Sequence, residues 1–161
     1  MNKLSSIHTS LSAVGFALLI WMMQLGLSGC THNNGDIGPW FGAWVIDAIE
    51  INGQPDTSYD RNVFWSFQNE VIKISVQYPH GVVSDHFGSW KEKGKILQLN
   101  YTHTDDVSQS YPERYAIPPV LHLPARGIID LDIESMNGSH IVLTYTPDSG
   151  NSMKYTLKKL F

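Results

Sequence analysis

Trp40-Phe41-Gly42-Ala43-Trp44, continuing through Val45-Ile46-Asp47-Ala48-Ile49-Glu50-Ile51 to Asn52-Gly53, decides how the rest of the chain is read. A buried aromatic side chain removes roughly 150–250 Å² from water. Rings this large, this early in the folded part, must be covered by later segments. The run has strand character and ends in Asn-Gly, a pair that tolerates positive φ and marks a tight hairpin. We read it as the first strand of a barrel.

Towards the C-terminus the pattern repeats. After a polar loop over Gly53 to Arg61 comes the apolar run Val63-Phe64-Trp65-Ser66-Phe67, then a turn at Gln68-Asn69-Glu70. Val71 to Tyr78 alternates, with Ile72, Ile74, Val76 and Tyr78 on one face and Lys73, Ser75 and Gln77 on the other. Pro79-His80-Gly81 breaks it. Val82 to Lys91 resumes as a strand with Gly88 as a bulge or bend, and the charged Lys91-Glu92-Lys93-Gly94-Lys95 turns into Ile96 to Tyr101. In that strand Leu97, Leu99 and Tyr101 face inward.

Thr102 to Arg126 carries Asp105-Asp106, Pro112, Pro118-Pro119 and Pro124 and has no clear period. Loops this long in compact domains are more often functional than decorative. Ile117 to Leu123 is open to a short edge strand, but its prolines exclude a central one. Order returns with Ile129-x-Leu131-x-Ile133, turns at Asn137-Gly138, and continues through Ile141–Thr146 and Met153–Leu160. The count is eight strands, nine with the edge segment, and no helix is expected after residue 30. Such a meander loses its exposed edges by closing. The fold class is therefore all-β, an antiparallel eight-stranded meander closed into a barrel. A barrel of that size encloses side chains or one small ligand.

Upstream of the first strand, Leu11 to Leu27 is nearly all apolar and Lys3 is the only charge in residues 1–29. A membrane span needs about 20 apolar residues, and the uninterrupted part here is shorter, which suits a signal segment. Leu27-Ser28-Gly29-Cys30 resembles the bacterial lipobox, in which the cysteine is acylated and becomes the new N-terminus. Cys30 is the chain's single cysteine. That resemblance implies lipidation at Cys30, with an ordinary signal as the alternative, and leaves no thiol for a disulfide or thiolate metal site. Residues 1–29 are read as a lipoprotein signal, 30–37 as a flexible tether and 38–161 as one barrel domain. Thr31 is not Asp, so by resemblance to bacterial sorting rules the outer membrane is favoured, and the absence of the acidic run that some Bacteroidota use for surface export favours facing the periplasm. Without Lys3 the chain has ten basic and fifteen acidic residues, a net charge of −5. This argues against nucleic acid and gives the lipid no polybasic help at a membrane surface.

Gly42-Ala43-Trp44 matches the Gly-x-Trp signature of lipocalins. With Trp90 closing the fourth strand and Ile129-x-Leu131-x-Ile133 before an Asn-Gly turn, residues 38–161 resemble the lipocalin-like lipoproteins of Bacteroidota. The resemblance implies that Trp44 plugs the closed end of the barrel. No Thr-Asp-Tyr segment of the lipocalin type is present, and no clear Arg follows the last strand. Lys158 or Lys159 can take that place as a cation over the indole.

The barrel domain holds His80, His86, His103, His122 and His140, with no close pair, and they are read as ordinary surface or loop histidines. Asp130, Asp132 and Glu134 fall at period two and are read as a solvated outer face rather than a Ca²⁺ site. No metal and no cofactor is expected. Trp44, Trp65, Phe67, Tyr78, Trp90, Tyr101, Tyr145 and Tyr155 fall mostly on inward faces. Two readings stand for them: plain core packing, or a pocket of rings and hydroxyls, the usual make-up of a small-molecule site. The expectation is a non-enzymatic, lipid-anchored envelope barrel that binds a small apolar or amphipathic ligand along those eight side chains. The alternative is a solid barrel whose 102–126 loop docks a protein or glycan.

Overall fold

The computed structural model describes residues 38–160. Cys30, the signal segment and the tether lie outside the described residues. The strands are β1 (Gly42–Ile51), β2 (Gln54–Pro55), β3 (Val63–Gln68), β4 (Val71–Gln77), β5 (Val83–Lys93), β6 (Ile96–Tyr101), β7 (Gly127–Met136), β8 (His140–Tyr145) and β9 (Met153–Lys159). All pairings between them are antiparallel, in the order β2-β1-β3-β4-β5-β6-β7-β8-β9. β9 then pairs with β1, from Met153 opposite Ile51 to Lys159 opposite Trp44. That pairing closes eight strands into a barrel, with β2 a two-residue appendage of β1.

The turn chemistry explains the connections. Asn52 and Gly53 have φ of 52° and 76°, the double positive φ of a two-residue hairpin, and Ile51 pairs with Gln54 across them. β1 shifts register between Ile46 and Ala48 against β9. Tyr59, from the loop after β2, donates its hydroxyl to the Ile46 carbonyl at 2.9 Å beside that irregularity and accepts from the Val63 amide. Arg61 pairs with Asp47 on the same stretch.

One apolar core runs through the barrel. Trp40, Trp44, Trp65, Tyr101 and Tyr155 are its largest fully buried side chains. At about 25 cal/mol per Å², each such ring contributes about 4–6 kcal/mol of transfer free energy as an upper bound. Inward rows follow the register: Trp44 stands opposite Trp65, Trp65 opposite Ile74, and Ile74 opposite His86.

Several expectations are corrected. The alternation places Tyr78 inside, but β4 ends at Gln77 and the ring is 48% exposed. It lies beyond the last β4–β5 pair, at the rim, where the alternation no longer has a facing strand to bury it. The 102–126 segment contains a short helix, α1 (Asp106–Ser110), where none was expected. Asp105 caps it by accepting the Ser108 amide at 2.8 Å. Ile117 to Leu123 forms no strand; Pro119–Leu121 is a 3-10 turn, consistent with its prolines. His86 is buried, because it occupies an inward row of β5.

Candidate functional site

Two ends of the barrel are closed by different means. At one end, Trp40 lies 4.9 Å from Phe67 and 5.5 Å from Trp90 between ring centroids, and Phe67 and Trp90 are 4.9 Å apart. The Trp44 indole donates to the Trp40 carbonyl at 3.0 Å, and Trp40 Nε1 donates to Glu92 at 2.7 Å. Lys159 Nζ sits 5.3 Å from the centroid of the Trp44 ring. The cation expected over the indole is therefore Lys159, placed there by the β1–β9 register.

At the other end, the 102–126 segment folds over the opening. Ile117, Leu121 and Leu123 join the core cluster. Polar ties hold them. Tyr155 donates its hydroxyl to the Leu121 carbonyl at 2.6 Å, and the Ile117 amide donates to Ala125. His86 Nδ1 lies 2.8 Å from the Ala116 carbonyl. A carbonyl only accepts, so Nδ1 carries the hydrogen, and in a neutral ring Nε2 accepts from Ser84 at 3.1 Å. His122 meets Asp56 at 3.3 Å. The apolar residues of this cover are spaced irregularly and interrupted by prolines, which is why periodicity missed them.

Between the two closures lies the aromatic interior. Of the eight expected lining residues, Trp44, Trp65, Phe67, Trp90, Tyr101 and Tyr155 converge there. Tyr145 is half-buried against the cluster, and Tyr78 lies outside it. Trp65 links the two ends, 6.1 Å from Phe67 and 6.5 Å from Tyr155. Trp65, Tyr101 and Tyr155 have 0% exposure, so no water-sized space touches them. Trp65 Nε1, Trp90 Nε1 and the Tyr101 hydroxyl are buried without a hydrogen-bond partner. Leaving such a donor unsatisfied costs about 1–3 kcal/mol. Burial also pushes the Tyr101 and Tyr155 hydroxyls well above the ordinary tyrosine range, and Tyr59 up to about 12.

The Tyr155–Leu121 bond yields a prediction. Tyr155→Phe leaves the Leu121 carbonyl unpaired and weakens the cover by about 1–3 kcal/mol. Limited proteolysis within 102–126 is expected to quicken while the thermal midpoint changes less than in a strand-core variant.

The outer polar groups do structural work. Asp130 accepts from Gln98 at 2.7 Å, and Glu134 pairs with Lys154 at 3.1 Å. Among the described residues, no three His, Cys, Asp or Glu side chains gather as a metal site. Three carboxylates are held below their ordinary range: Asp56 by the Ser58 hydroxyl and amide, Asp105 by the Ser108 amide, and Glu134 by Thr144 and then Lys154. The folded state thus resists protonation longer than the unfolded chain. Their contribution is fully present above the ordinary carboxylate range and is lost as pH falls through the lowered values. The tyrosines work at the other extreme: stability is present below pH 10 and is lost as pH rises towards about 12, through the raised value of Tyr59. Urea midpoints across pH should therefore decline at both ends with a plateau between.

No protein-family model matches the chain, and neither does any curated protein sequence. Solved structures resemble its fold, among them two from Bacteroides. An uncharacterized protein from Bacteroides eggerthii superposes with a TM-score of 0.58 at 15% identity, covering 74% of this chain and 98% of that one. A lipocalin-like protein from Bacteroides uniformis superposes with a TM-score of 0.55 at 18% identity, covering 76% of this chain and 100% of that one. The fold of this chain is thus lipocalin-like, a closed eight-stranded antiparallel barrel.

Proposed function

We propose that this protein is a lipid-anchored barrel of the bacterial cell envelope that binds a small amphipathic ligand inside the barrel, without catalysis. The 102–126 segment is the cover that moves aside to admit it. The observation that carries this reading is the set of buried donors lacking partners, Trp65 Nε1, Trp90 Nε1 and the Tyr101 hydroxyl, among otherwise apolar walls. A ligand with an apolar body and a hydrogen-bond acceptor would relieve that cost. The anchor is Cys30, placed by the lipobox resemblance, and the location is the outer membrane, facing the periplasm.

Native mass spectrometry of the full chain purified from its own host tests the proposal. A retained small molecule, lost on substitution of Trp65, is the expected result. A ligand-free protein in every preparation contradicts it. The same spectra read the anchor: a diacylglycerol-modified Cys30 is expected, and an unmodified Cys30 removes the location half of the proposal.

A second reading has its own support. Trp44, Trp65, Tyr101 and Tyr155 in the interior have 0% exposure, and Val107 and Tyr111 are exposed on the cover at 56% and 52%. On that reading the barrel is solid and the 102–126 segment docks a protein or glycan. Ligand-free spectra together with loss of a binding partner in a Tyr111→Ser variant would favour it.

A further inference from the structure

A groove of about 290 Å³ lies on the outer wall and reaches Trp90, a member of the aromatic core, between its polar lining residues. Its lining follows from the register. Ser89 pairs with Asn100 and Asn100 with Ile128, giving one outward row. Lys91 pairs with Gln98 and Gln98 with Asp130, giving the next. Side chains two apart on a strand share a face, so two adjacent rows from β5, β6 and β7 form the floor. Glu70, from the turn before β4, closes one side, and its carbonyl accepts the Trp90 amide at 2.9 Å. The β4–β5 pairing ends at Val71 opposite Ser89, and the Glu70–Trp90 bond adds one step beyond it.

The polar groups here are preoriented. Gln98 is only 9% exposed, and its Nε2 donates to Asp130 at 2.7 Å, which turns Oε1 to a different side. Asn100 Oδ1 accepts from the Thr102 amide at 3.0 Å and the Thr102 hydroxyl at 2.7 Å, leaving Nδ2 as a donor. Glu70 adds acceptors, Lys91 adds donors, and Ser89 supplies both. Ile128, 60% exposed, adds an aliphatic surface. Among the lining residues the Glu70 carboxylate and the Lys91 ammonium balance, and the Asp130 carboxylate beside them is engaged by Gln98, so the lining does not favour an ion. A mixed, neutral lining beside an aliphatic patch suits a ring whose hydroxyls both donate and accept and whose C–H face is apolar. The volume is at the small end for ligand sites, and fixed amides lower the ordering cost of binding.

We propose that this outer-wall groove binds a neutral, hydroxyl-rich ligand of one or two sugar rings. It is a second site, on the outside of the barrel wall. Saturation-transfer NMR on the full chain in a detergent without sugar headgroups tests it, with glucose, N-acetylglucosamine, maltose and cellobiose as probes and glycine betaine as a zwitterionic control. At least one sugar should give a saturable signal. Asn100→Ala should weaken it about tenfold, which corresponds to about 1.4 kcal/mol. Glu70→Gln, a change at an exposed turn that leaves the strands alone, should weaken it as well. No saturable signal from any sugar, a signal that survives both substitutions, or stronger binding of glycine betaine would each overturn the proposal.

Discussion

Replacing Trp44 by alanine is expected to destabilise the barrel by about 3–5 kcal/mol, the range for removing a fully buried large aromatic. The expectation rests on three losses at one position. The indole is completely buried and is the cross-strand partner of Trp65. Its Nε1 donates to the Trp40 carbonyl, which holds the 3-10 turn Gly38–Trp40 against the end of the barrel. Its face carries Lys159, a contact worth about 0.5–1 kcal/mol at a partly exposed site. Trp44→Phe keeps most of the area and should recover more than half of the loss. Equilibrium urea unfolding measures both. A midpoint unchanged in Trp44→Ala would mean that the end is closed by other residues.

Gly88→Ala should cost about 3 kcal/mol, a large effect for one methyl group. A Cβ built at Gly88 falls 2.6 Å from Cε2 and Cζ of Tyr101. The Tyr101 ring is fully buried and has nowhere to move. Gly88 is not at a positive φ, so the penalty is one of close approach and not of backbone conformation. Inserting atoms into a packed core costs about 1–3 kcal/mol, and the approach here places this case at the upper end. The double variant Gly88→Ala with Tyr101→Leu makes room for the methyl. It should be more stable than the sum of the two single effects implies, and a double-mutant cycle from urea denaturation reads that coupling. Strict additivity would show that the ring and the glycine do not share the space.

What the sequence made legible is what obeys a period or a local turn rule. Strand alternation in Ile72-Ile74-Val76 and Leu97-Leu99-Tyr101 depends on neighbours two residues away, and the Asn52-Gly53 hairpin depends on a pair. Sequence alone marks Gly88 as a bulge or bend, because a glycine in a strand signals something unusual. Its actual role, making room for a tyrosine on the next strand, depends on register, which a single strand does not carry. Tyr78 continued the alternation on paper, but burial at a rim is decided by what stands opposite. The buried residues of the cover, Ile117, Leu121 and Leu123, sit among prolines with no fixed spacing, so their shared inward direction appears only once the segment is folded. α1 is five residues long, too short for a helical period, though Asp105 three residues before Ser108 was its one local mark. The outer groove pairs Ser89 with Asn100 and Asn100 with Ile128; nothing local links those positions.

The filled interior and the ligand-binding reading are reconciled by the cover. In the closed form the rings pack on one another and on Leu121, and the unpartnered donors store a cost that a ligand would relieve. On the proposed reading, opening has to break the Tyr155–Leu121 and His86–Ala116 bonds and withdraw three apolar side chains, without unpairing any strand of the barrel. This separates the cover energetically from the barrel that it closes.

Native-state hydrogen exchange on the full chain measures that separation directly. The account predicts that the amides of Ile117 and His122 exchange through an opening of distinctly lower free energy than those of Ile74 and Leu99, which wait for global unfolding. Equal opening free energies for all four would make the 102–126 segment an integral part of a solid barrel, and would contradict the account.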